Sequence, residues 1–277
     1  MLSRLDFLKR VGLAAAGAFV LGDAVRALAE NAPVISTATN ALAPVGPAAT
    51  GLSTNAPTAG GLTPTLQPIP GEYQVSAHYV SSGPGFGRRL AITFDDGPTP
   101  GVTERVLAEL KKRDIKSSFF MIGQRVAAYP DLAKKVFDDG HEVCNHSFTH
   151  PQLSKMPDMA VSLELERCQE AIDKAIGHKP VWCRPPYGAF KKTQGHLAVA
   201  LGLGVVYWSV DPRDWSQPGV QKLIDTIPAQ SRPGSIILCH DLHPQTADAV
   251  PTILDKLLEQ GYEFTTISGF LGQPYDS

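Results

Sequence analysis

Two adjacent carboxylates, Asp95 and Asp96, follow a short apolar run and stand directly before Gly97 and Pro98. Neighbouring side chains of a regular strand point to opposite faces, so the pair can serve one site only if the backbone leaves the strand there. Gly97 and Pro98 supply that break. Catalytic groups of α/β enzymes collect at the C-terminal ends of buried strands. An isolated pair of this kind is more often a polar turn, so further residues must decide.

Two histidines four residues apart, His146 and His150, follow another apolar run. They converge if the chain makes about one turn between them. Two imidazoles and a carboxylate, with one position left for water, form a catalytic zinc set. A solvated loop explains the histidines equally well when they are taken alone. Their combination with Asp95 and Asp96 at another strand end favours a metal site.

Three more polar motifs end predicted strands. Arg184 to Gly188 (RPPYG) contains a stiff Pro-Pro pair that fixes Arg184 and the backbone N–H of Tyr187. Asp211 to Trp215 (DPRDW) offers two carboxylates and an indole, and Leu238 to His240 (LCH) offers an imidazole. Taken alone, RPPYG could be a structural turn, Trp215 a packing residue and His240 a buried polar group. Their joint occurrence at the same end of different strands predicts one active site.

The elements that would position these residues alternate along the chain. Two helices are clearest, Pro157 to Ile176 and Val250 to Gln260, with Gly177 and Gly261 as their stops and Pro251 in the first turn of the second. Seven strands alternating with helices predict an α/β fold with a parallel sheet, open or closed into a barrel. The predicted strands are Leu90 to Asp95, Ser117 to Ile122, His141 to Asn145, Val181 to Arg184, Gly204 to Val210, Ser235 to His240 and Glu263 to Ile267.

The series TFDDG, HSFTH, RPPYG, DPRDW and LCH resembles, in order and spacing, the five motifs of the polysaccharide deacetylase family, also called carbohydrate esterase family 4 or the NodB-homology domain. The resemblance covers roughly Arg88 to Ile267. It implies a distorted (β/α)7 barrel of mostly parallel strands, whose closure rests on the resemblance alone. It also implies a metal-dependent hydrolase that acts on linear amide C–N bonds.

The resemblance also implies a role for each motif. Asp96, His146 and His150 would hold a divalent metal, most often Zn2+, with Co2+ or Ni2+ as alternatives. Asp95 would act as general base towards the attacking water. Arg184 would orient Asp95 and keep it ionised.

The remaining motif residues would serve the leaving group and the substrate. His240 would protonate the leaving amine, and Asp211 would raise the pKa of His240. The oxyanion would rest between the metal and the backbone N–H of Tyr187. Leu238 and Trp215 would line a small apolar pocket for the acetyl methyl group.

The N-terminal residues have the pattern of a secretory signal. Basic residues precede the apolar run Val11 to Gly22, and Ala27 to Ala29 has the small-x-small pattern of a cleavage site, so residues 1–29 are predicted to be a signal peptide. The apolar run is short for a transmembrane span, although an uncleaved signal would leave a membrane anchor. Residues 3–9 resemble a twin-arginine signal with Leu5 in place of the second arginine, which leaves the export route open.

The next segment differs in composition from the rest of the chain. From Asn31 to Gly71 no residue is charged, and Ala, Pro, Thr and Gly dominate, so residues 30–72 are predicted to be a disordered tether. Residues 73–277 would then form the catalytic domain. A net charge of −2 gives no electrostatic case for nucleic acid as a partner.

Four cysteines in an exported chain raise the question of disulfides. Strand alternation predicts that Cys183 and Cys239 face away from the site, on strands that are not neighbours, which favours buried thiols. The apolar position of Cys144 favours core packing. A Cys168 to Cys183 bridge is the least unfavourable disulfide.

The function expected from these observations is an exported N-deacetylase of an N-acetylglucosamine-containing polysaccharide, located in the periplasm, the cell envelope or outside the cell. Peptidoglycan is preferred over chitin or exopolysaccharide, because a signal followed by a tether suits an enzyme that reaches into a wall. The alternatives are an O-acetyl esterase acting on acetylated xylan and a carbohydrate-binding protein without catalysis. The oligomeric state is open, with a monomer expected.

Overall fold

The computed structural model describes residues 79–85 and 87–271, and its sheet is built from short strands that are mostly buried. Apolar strands covered on both faces are typical of parallel sheets. The strands are Tyr79–Val80 (β1), Arg89–Asp95 (β2), Ser118–Met121 (β3), Glu142–Asn145 (β4), Trp182–Cys183 (β5), Gly204–Val206 (β6), Ile236–His240 (β7) and Glu263–Phe264 (β8).

Helices follow the strands in regular alternation, so that each strand from β2 to β8 is followed by at least one. Tight 3-10 turns occupy Leu153–Lys155, Pro186–Gly188, Lys192–Gln194 and Asp214–Ser216. The helices of the described residues are Thr103–Lys112 (α1), Gly123–Ala128 (α2), Pro130–Asp138 (α3), Asp158–Ile176 (α4), Gly195–Ala200 (α5), Val220–Gln230 (α6), Pro244–Glu259 (α7) and Ile267–Leu271 (α8).

The sheet runs in the order β1-β6-β5-β4-β3-β2-β7 with parallel neighbours, and β8 pairs with the first residues of β2. A parallel bridge between Val210 and Ile237 links the chain after β6 to β7. An antiparallel bridge between Ser82 and Ser235 links the chain after β1 to the residue before β7. These bridges connect the two ends of the sheet. The predicted α/β architecture, a distorted (β/α)7 barrel, is confirmed.

All seven predicted strands exist, and the differences lie at their ends. The strand β6 ends at Val206 rather than Val210, and β8 contains only Glu263 and Phe264 because Ile267 begins α8. The strand β1 was not predicted, because its two apolar residues are flanked by the polar His78 and Ser81. Helix α7 begins at Pro244, so Pro251 lies inside the helix and not in its first turn as predicted.

Two layers of core pack against the two faces of the sheet. Outside the barrel, Leu90, Ile92 and Phe94 of β2 pack against the helices. Inside it, Ala91 of β2 packs with Phe120, and α8 covers this layer. A hydrogen bond from Trp182 Nε1 to Ser268 Oγ, at 2.8 Å, joins α8 to β5. Alternate residues of β2 thus face different layers, as strand geometry requires.

The four cysteines are free and buried, which confirms the buried thiols predicted at Cys144, Cys183 and Cys239. Cys239 belongs to the outer layer, and Cys144 to the barrel interior. Burial raises the pKa of Cys168 and of Cys183 to about 12. These thiols therefore act as small apolar groups, and the Cys168 to Cys183 bridge is not formed.

The predicted signal peptide and tether, and residues 73–78 of the predicted domain, lie outside the described residues. Within residues 79–85 and 87–271, no helix combines the length and the apolar character that a membrane crossing requires.

Candidate active site

The carboxylate pair lies at the C-terminal end of β2. Asp95 is the last strand residue and is 2% exposed, whereas Asp96 has a φ of 73° in the left-handed region. The backbone therefore leaves the strand at Asp96, one residue earlier than predicted, and this turn brings both carboxylates to one pocket. Gly97 is required next, because a Cβ there would overlap the Asp241 carboxylate.

The histidine pair lies in the loop after β4. Ser147 and His150 both have a φ of 61°, and the Ser147 hydroxyl accepts a hydrogen bond from the backbone N–H of His150 at 3.1 Å. These two left-handed residues replace the helical turn that the spacing predicted. The rings of His146 and His150 converge with centroids 5.0 Å apart.

A backbone carbonyl sets the tautomer of His146. Its Nδ1 lies 2.6 Å from the carbonyl oxygen of Arg184, which can only accept a hydrogen bond. Nδ1 therefore carries the proton, and Nε2 presents its lone pair to the pocket. Asp96 Oδ1 lies 3.4 Å from this Nε2 and 3.2 Å from Nε2 of His150.

The chemistry of these three side chains fits a divalent metal. Their ligand atoms all lie within 4.8 Å of one another. Asp96 Oδ1 is buried without a hydrogen-bond partner among the described residues, as expected of an oxygen that a cation would complete. Burial alone would raise the pKa of the Asp96 carboxyl, but the neighbouring His146 and His150 rings hold it well below its usual range. Two imidazoles and one ionised carboxylate suit zinc.

Asp95 is held by a buried arginine. Arg184 is 0% exposed, and its Nη1 donates to Asp95 Oδ1 at 2.6 Å and to Thr93 Oγ1 at 2.8 Å. Its guanidinium also lies 4.0 Å from the centre of the Phe120 ring. Asp95 Oδ2 is left facing the histidines, 3.7 Å from His146 Nε2. The predicted pairing of Arg184 with Asp95 is thus present, with one carboxylate oxygen free to accept a proton.

The partner of His240 is Asp214, and the prediction of Asp211 in this position was wrong. Asp214 Oδ1 lies 2.7 Å from His240 Nδ1, while its Oδ2 accepts bonds from the His240 N–H and the Thr246 hydroxyl, both at 2.7 Å. Asp214 begins a 3-10 turn that places its side chain inwards, where it is 1% exposed. The exposed Asp211 instead accepts a bond from the backbone N–H of Arg213 at 2.9 Å.

The environment of His240 favours its charged form. Burial lowers its pKa, but the hydrogen bond and charge of Asp214, together with the charges of Asp95 and Asp96, raise the pKa of His240 to about 9. His240 is also the register partner of Asp95 across the β2–β7 pair. A histidine that favours its protonated form and an aspartate held by Arg184 therefore lie on adjacent strands at the same end of the barrel.

These groups open into one pocket of about 470 Å³. Nine of the ten predicted site residues line it, and the tenth, Arg184, lies beneath it. The wall also contains Pro185 and Trp208, which were not predicted. Trp208 follows β6 in an irregular stretch, so strand alternation could not assign its side chain. The lining residues are Asp95, Asp96, His146, His150, Pro185, Tyr187, Trp208, Asp211, Trp215, Leu238 and His240.

The apolar part of the pocket rim is aromatic. Tyr187 has a φ of 61° and is 68% exposed, with its ring edge-on to His150 at 4.7 Å between centroids. Trp215 is 51% exposed, whereas Leu238 is 4% exposed. This arrangement combines an open, flat-sided entrance with a small apolar interior, which is suited to a sugar ring and an acyl group.

Comparison with known proteins gives consistent matches. Residues 83–206 match the family described as Polysaccharide deacetylase. The chain is 40% identical over 186 residues to the peptidoglycan-N-acetylglucosamine deacetylase PgdA of Listeria monocytogenes, covering 67% of this chain and 39% of that protein. It is 35% identical over 194 residues to a chitooligosaccharide deacetylase of Rhizobium leguminosarum bv. trifolii, covering 65% of this chain and 90% of that protein.

A solved structure shares the same architecture. A pseudoenzyme of carbohydrate esterase family 4 from Bacillus anthracis superposes with a TM-score of 0.68 at 30% identity, covering 71% of this chain and 70% of that one. A similar barrel is thus found with and without catalysis, and the side chains at the site have to separate the two cases.

Proposed function

Because the chain belongs to the polysaccharide deacetylase family, we propose that it is a metal-dependent hydrolase that removes N-acetyl groups from an N-acetylglucosamine-containing polysaccharide. One observation carries the proposal. A carboxylate held by a buried arginine and a histidine held by a buried carboxylate face the same pocket, beside three convergent ligand side chains. Binding alone would need neither a base nor an acid, so this set favours catalysis over the non-catalytic alternative.

The metal ligands proposed are Asp96, His146 and His150. When bound there, zinc would supply Lewis-acid chemistry, acidifying a water and polarising the acetyl carbonyl. Asp95 Oδ2 accepts the proton of the attacking water, while Arg184 occupies Oδ1 and fixes the direction of the free oxygen.

The leaving amine takes its proton from His240. Asp214 holds the imidazole by Nδ1, so the opposite nitrogen, Nε2, faces the substrate. We propose that the backbone N–H of Tyr187 helps to hold the oxyanion, and that Leu238 and Trp215 receive the acetyl methyl group. In this assignment Asp211 borders the substrate pocket and does not set the pKa of His240.

Peptidoglycan is the first choice of substrate, and chitin oligomers are the second. The Listeria relative is named for peptidoglycan and the Rhizobium relative for chitooligosaccharide. The predicted signal peptide and tether fit an enzyme that works outside the cytoplasm on a wall polymer, which is the localisation we propose.

The test is acetate release by the full chain, loaded with zinc, from peptidoglycan, N-acetylglucosamine oligomers and acetylated xylan in parallel. We expect release from a glucosamine polymer and its loss by at least about 100-fold in Asp95→Asn, with zinc still bound. Asp96→Ala should lose both zinc and turnover. Release from xylan alone would identify an O-acetyl esterase, and an active Asp95→Asn protein would contradict the assignment of the base.

A further inference from the structure

A glutamate on α4 anchors the loop that carries both histidines. Glu164 is 8% exposed, and its Oε2 accepts hydrogen bonds from the backbone N–H groups of Phe148 and Thr149 at 3.0 and 2.8 Å. Its other oxygen, Oε1, accepts a bond from the Thr149 hydroxyl at 2.8 Å. One carboxylate therefore takes three hydrogen bonds from two consecutive loop residues.

This loop is held in a backbone conformation that it would not adopt freely. Left-handed φ values at two residues other than glycine, Ser147 and His150, are unfavourable and persist only where the surroundings enforce them. Neutral contacts contribute, since Asn145 Oδ1 accepts from the Ser147 N–H at 2.9 Å and the Gly123 N–H donates to the Ser147 carbonyl at 3.0 Å. Glu164 adds a charged acceptor, whose hydrogen bonds are roughly twice as strong as neutral ones.

The side chain of Phe148 is fixed from the same helix. The Arg167 guanidinium, one turn after Glu164, lies 3.9 Å from the centre of the Phe148 ring. The ring also packs so closely on Gly123 that a Cβ there would lie 2.6 Å from Phe148 Cδ2. Both the backbone and the side chain between the two histidines are thus tied to α4 and to the start of α2.

The anchored residues lie between the two predicted ligands, so their position sets the distance between the imidazoles. We propose that Glu164 is a positioning residue that fixes His146 and His150 relative to Asp96 before a metal binds. The proposal rests on the ligand set of the proposed function. It predicts that the carboxylate of Glu164, which touches none of the three ligand side chains by hydrogen bond, controls metal affinity.

The experiment compares Glu164→Ala and Glu164→Gln with Glu166→Ala, a matched loss of a carboxylate on the exposed face of the same helix. Zinc affinity is measured by competition with a chromophoric chelator, the visible spectrum of the cobalt-loaded protein reports the ligand geometry, and circular dichroism reports the fold. We expect Glu164→Ala to weaken zinc binding by about 10- to 100-fold and to alter the cobalt bands. Glu166→Ala should stay within about twofold of the wild type.

The glutamine variant keeps the proposal testable if Glu164→Ala fails to fold. Its amide oxygen can still accept the two backbone bonds, so it should fold and weaken zinc binding less than the alanine variant does. Wild-type affinity and an unchanged cobalt spectrum in a folded Glu164 variant would overturn the proposal, as would a wild-type chain that binds no zinc. Tight zinc binding without acetate release would count against the proposed reaction and leave the role of Glu164 intact.

Discussion

At the scale of single residues, the proposed base and the proposed acid each have an oppositely charged buried partner. Arg184 contacts Asp95, and Asp214 contacts His240, while the two paired strands place Asp95 and His240 in register. A nearby cation favours a carboxylate and a nearby carboxylate favours an imidazolium. Asp214 therefore favours the protonated form of His240 that its proposed role requires, while Arg184 fixes the orientation of Asp95.

Replacing Asp214 should move the basic limb of the pH profile. Activity that needs protonated His240 falls as the pH rises through its pKa of about 9. Asp214→Asn removes the largest stabilisation of the imidazolium, so we expect the basic limb of kcat/KM to shift down by about one pH unit or more. Asp211→Asn is the matched control and should leave the limb in place. A shift of the basic limb in Asp211→Asn but not in Asp214→Asn would show that Asp211, and not Asp214, raises the pKa of His240.

A buried histidine away from the pocket should make the fold sensitive to acid. His141 is 1% exposed and its Nδ1 accepts a bond from the Ser117 N–H at 3.2 Å. Burial is the main reason that the pKa of His141 is lowered to about 4. The charges of Lys116 and Lys135 act in the same direction, and the charge of Asp139 opposes the shift. As pH falls from about 6.5 to about 4, the unfolded chain takes up a proton that the folded protein does not, so stability is lost in this window.

The expected loss is on the order of 3 kcal/mol, measured as the free energy of unfolding in urea at several pH values. His141→Gln keeps an acceptor for the Ser117 N–H but cannot titrate, so its stability should fall less over the same window. Identical pH dependence in the two proteins would show that the carboxylates, and not His141, cause the acid sensitivity.

At the scale of elements, a buried glutamate joins β4 to α8 inside the barrel. Glu142 is 0% exposed, and its Oε2 accepts bonds from the Ser118 hydroxyl at 2.6 Å and the Ile267 N–H at 3.0 Å. Its Oε1 accepts the Ser268 hydroxyl. Burial raises the pKa of Glu142, although these hydrogen bonds oppose that shift. Helix α8 is thereby fastened to β4, the strand that precedes the histidine loop.

Removing this acceptor should be costly. Glu142→Ala leaves several buried donors without partners, and we expect the free energy of unfolding to fall by about 3 kcal/mol or more. Glu142→Gln keeps one acceptor oxygen, so its free energy of unfolding should fall clearly less than that of the alanine variant. The measurement is urea unfolding at neutral pH, and a loss below about 1 kcal/mol for the alanine variant would contradict the role of Glu142 as a joint.

The elements that the sequence predicted well are those with a repeated pattern. The strands from β2 to β7 and helix α4 were found because their apolar residues recur over several positions, and Gly177 ends α4 in the left-handed conformation expected of a helix stop. The predicted start of helix α7 at Val250 is too late, because the prediction places Pro251 in the first turn, whereas Pro244 occupies the first position.

The errors at the site came from irregular backbone. Asp211 and Asp214 belong to the same motif, and only the 3-10 turn at Asp214–Ser216 decides which carboxylate points inwards. In the same way, left-handed residues at Asp96 and Ser147 bring ligands together that strand alternation alone would separate. A pattern of residue types identifies the groups at such a site, whereas the pairing between them depends on local dihedral angles.

At the scale of the whole molecule, the barrel should be stable without its metal. Apolar layers on both faces of the sheet are independent of the three ligand side chains, which lie at one end of the strands. The metal then adds stability by mass action only. The site differs in this respect from small domains that fold only around zinc.

Removal of the metal by a chelator should therefore leave the far-ultraviolet circular dichroism unchanged and lower Tm. Zinc at 100 times its Kd contributes about 2.7 kcal/mol, which corresponds to roughly 5–10 °C for a domain of this size. His150→Ala, which lacks a ligand, should show a Tm that zinc does not change. Unfolding of the wild type on chelation, or a Tm that does not respond to zinc, would contradict this view.

The pairing of β2 with the later strand β7 also affects when the site is completed during synthesis of the chain. The segment of β2 leaves the ribosome before those of the histidine loop and Arg184, and His240 follows only with β7. Pairing of strands so distant in sequence is slow, because the loop between them must be closed first. A nascent chain thus contains the proposed ligands and the proposed base before the proposed acid is synthesised, so activity is expected only after β7 has joined the barrel.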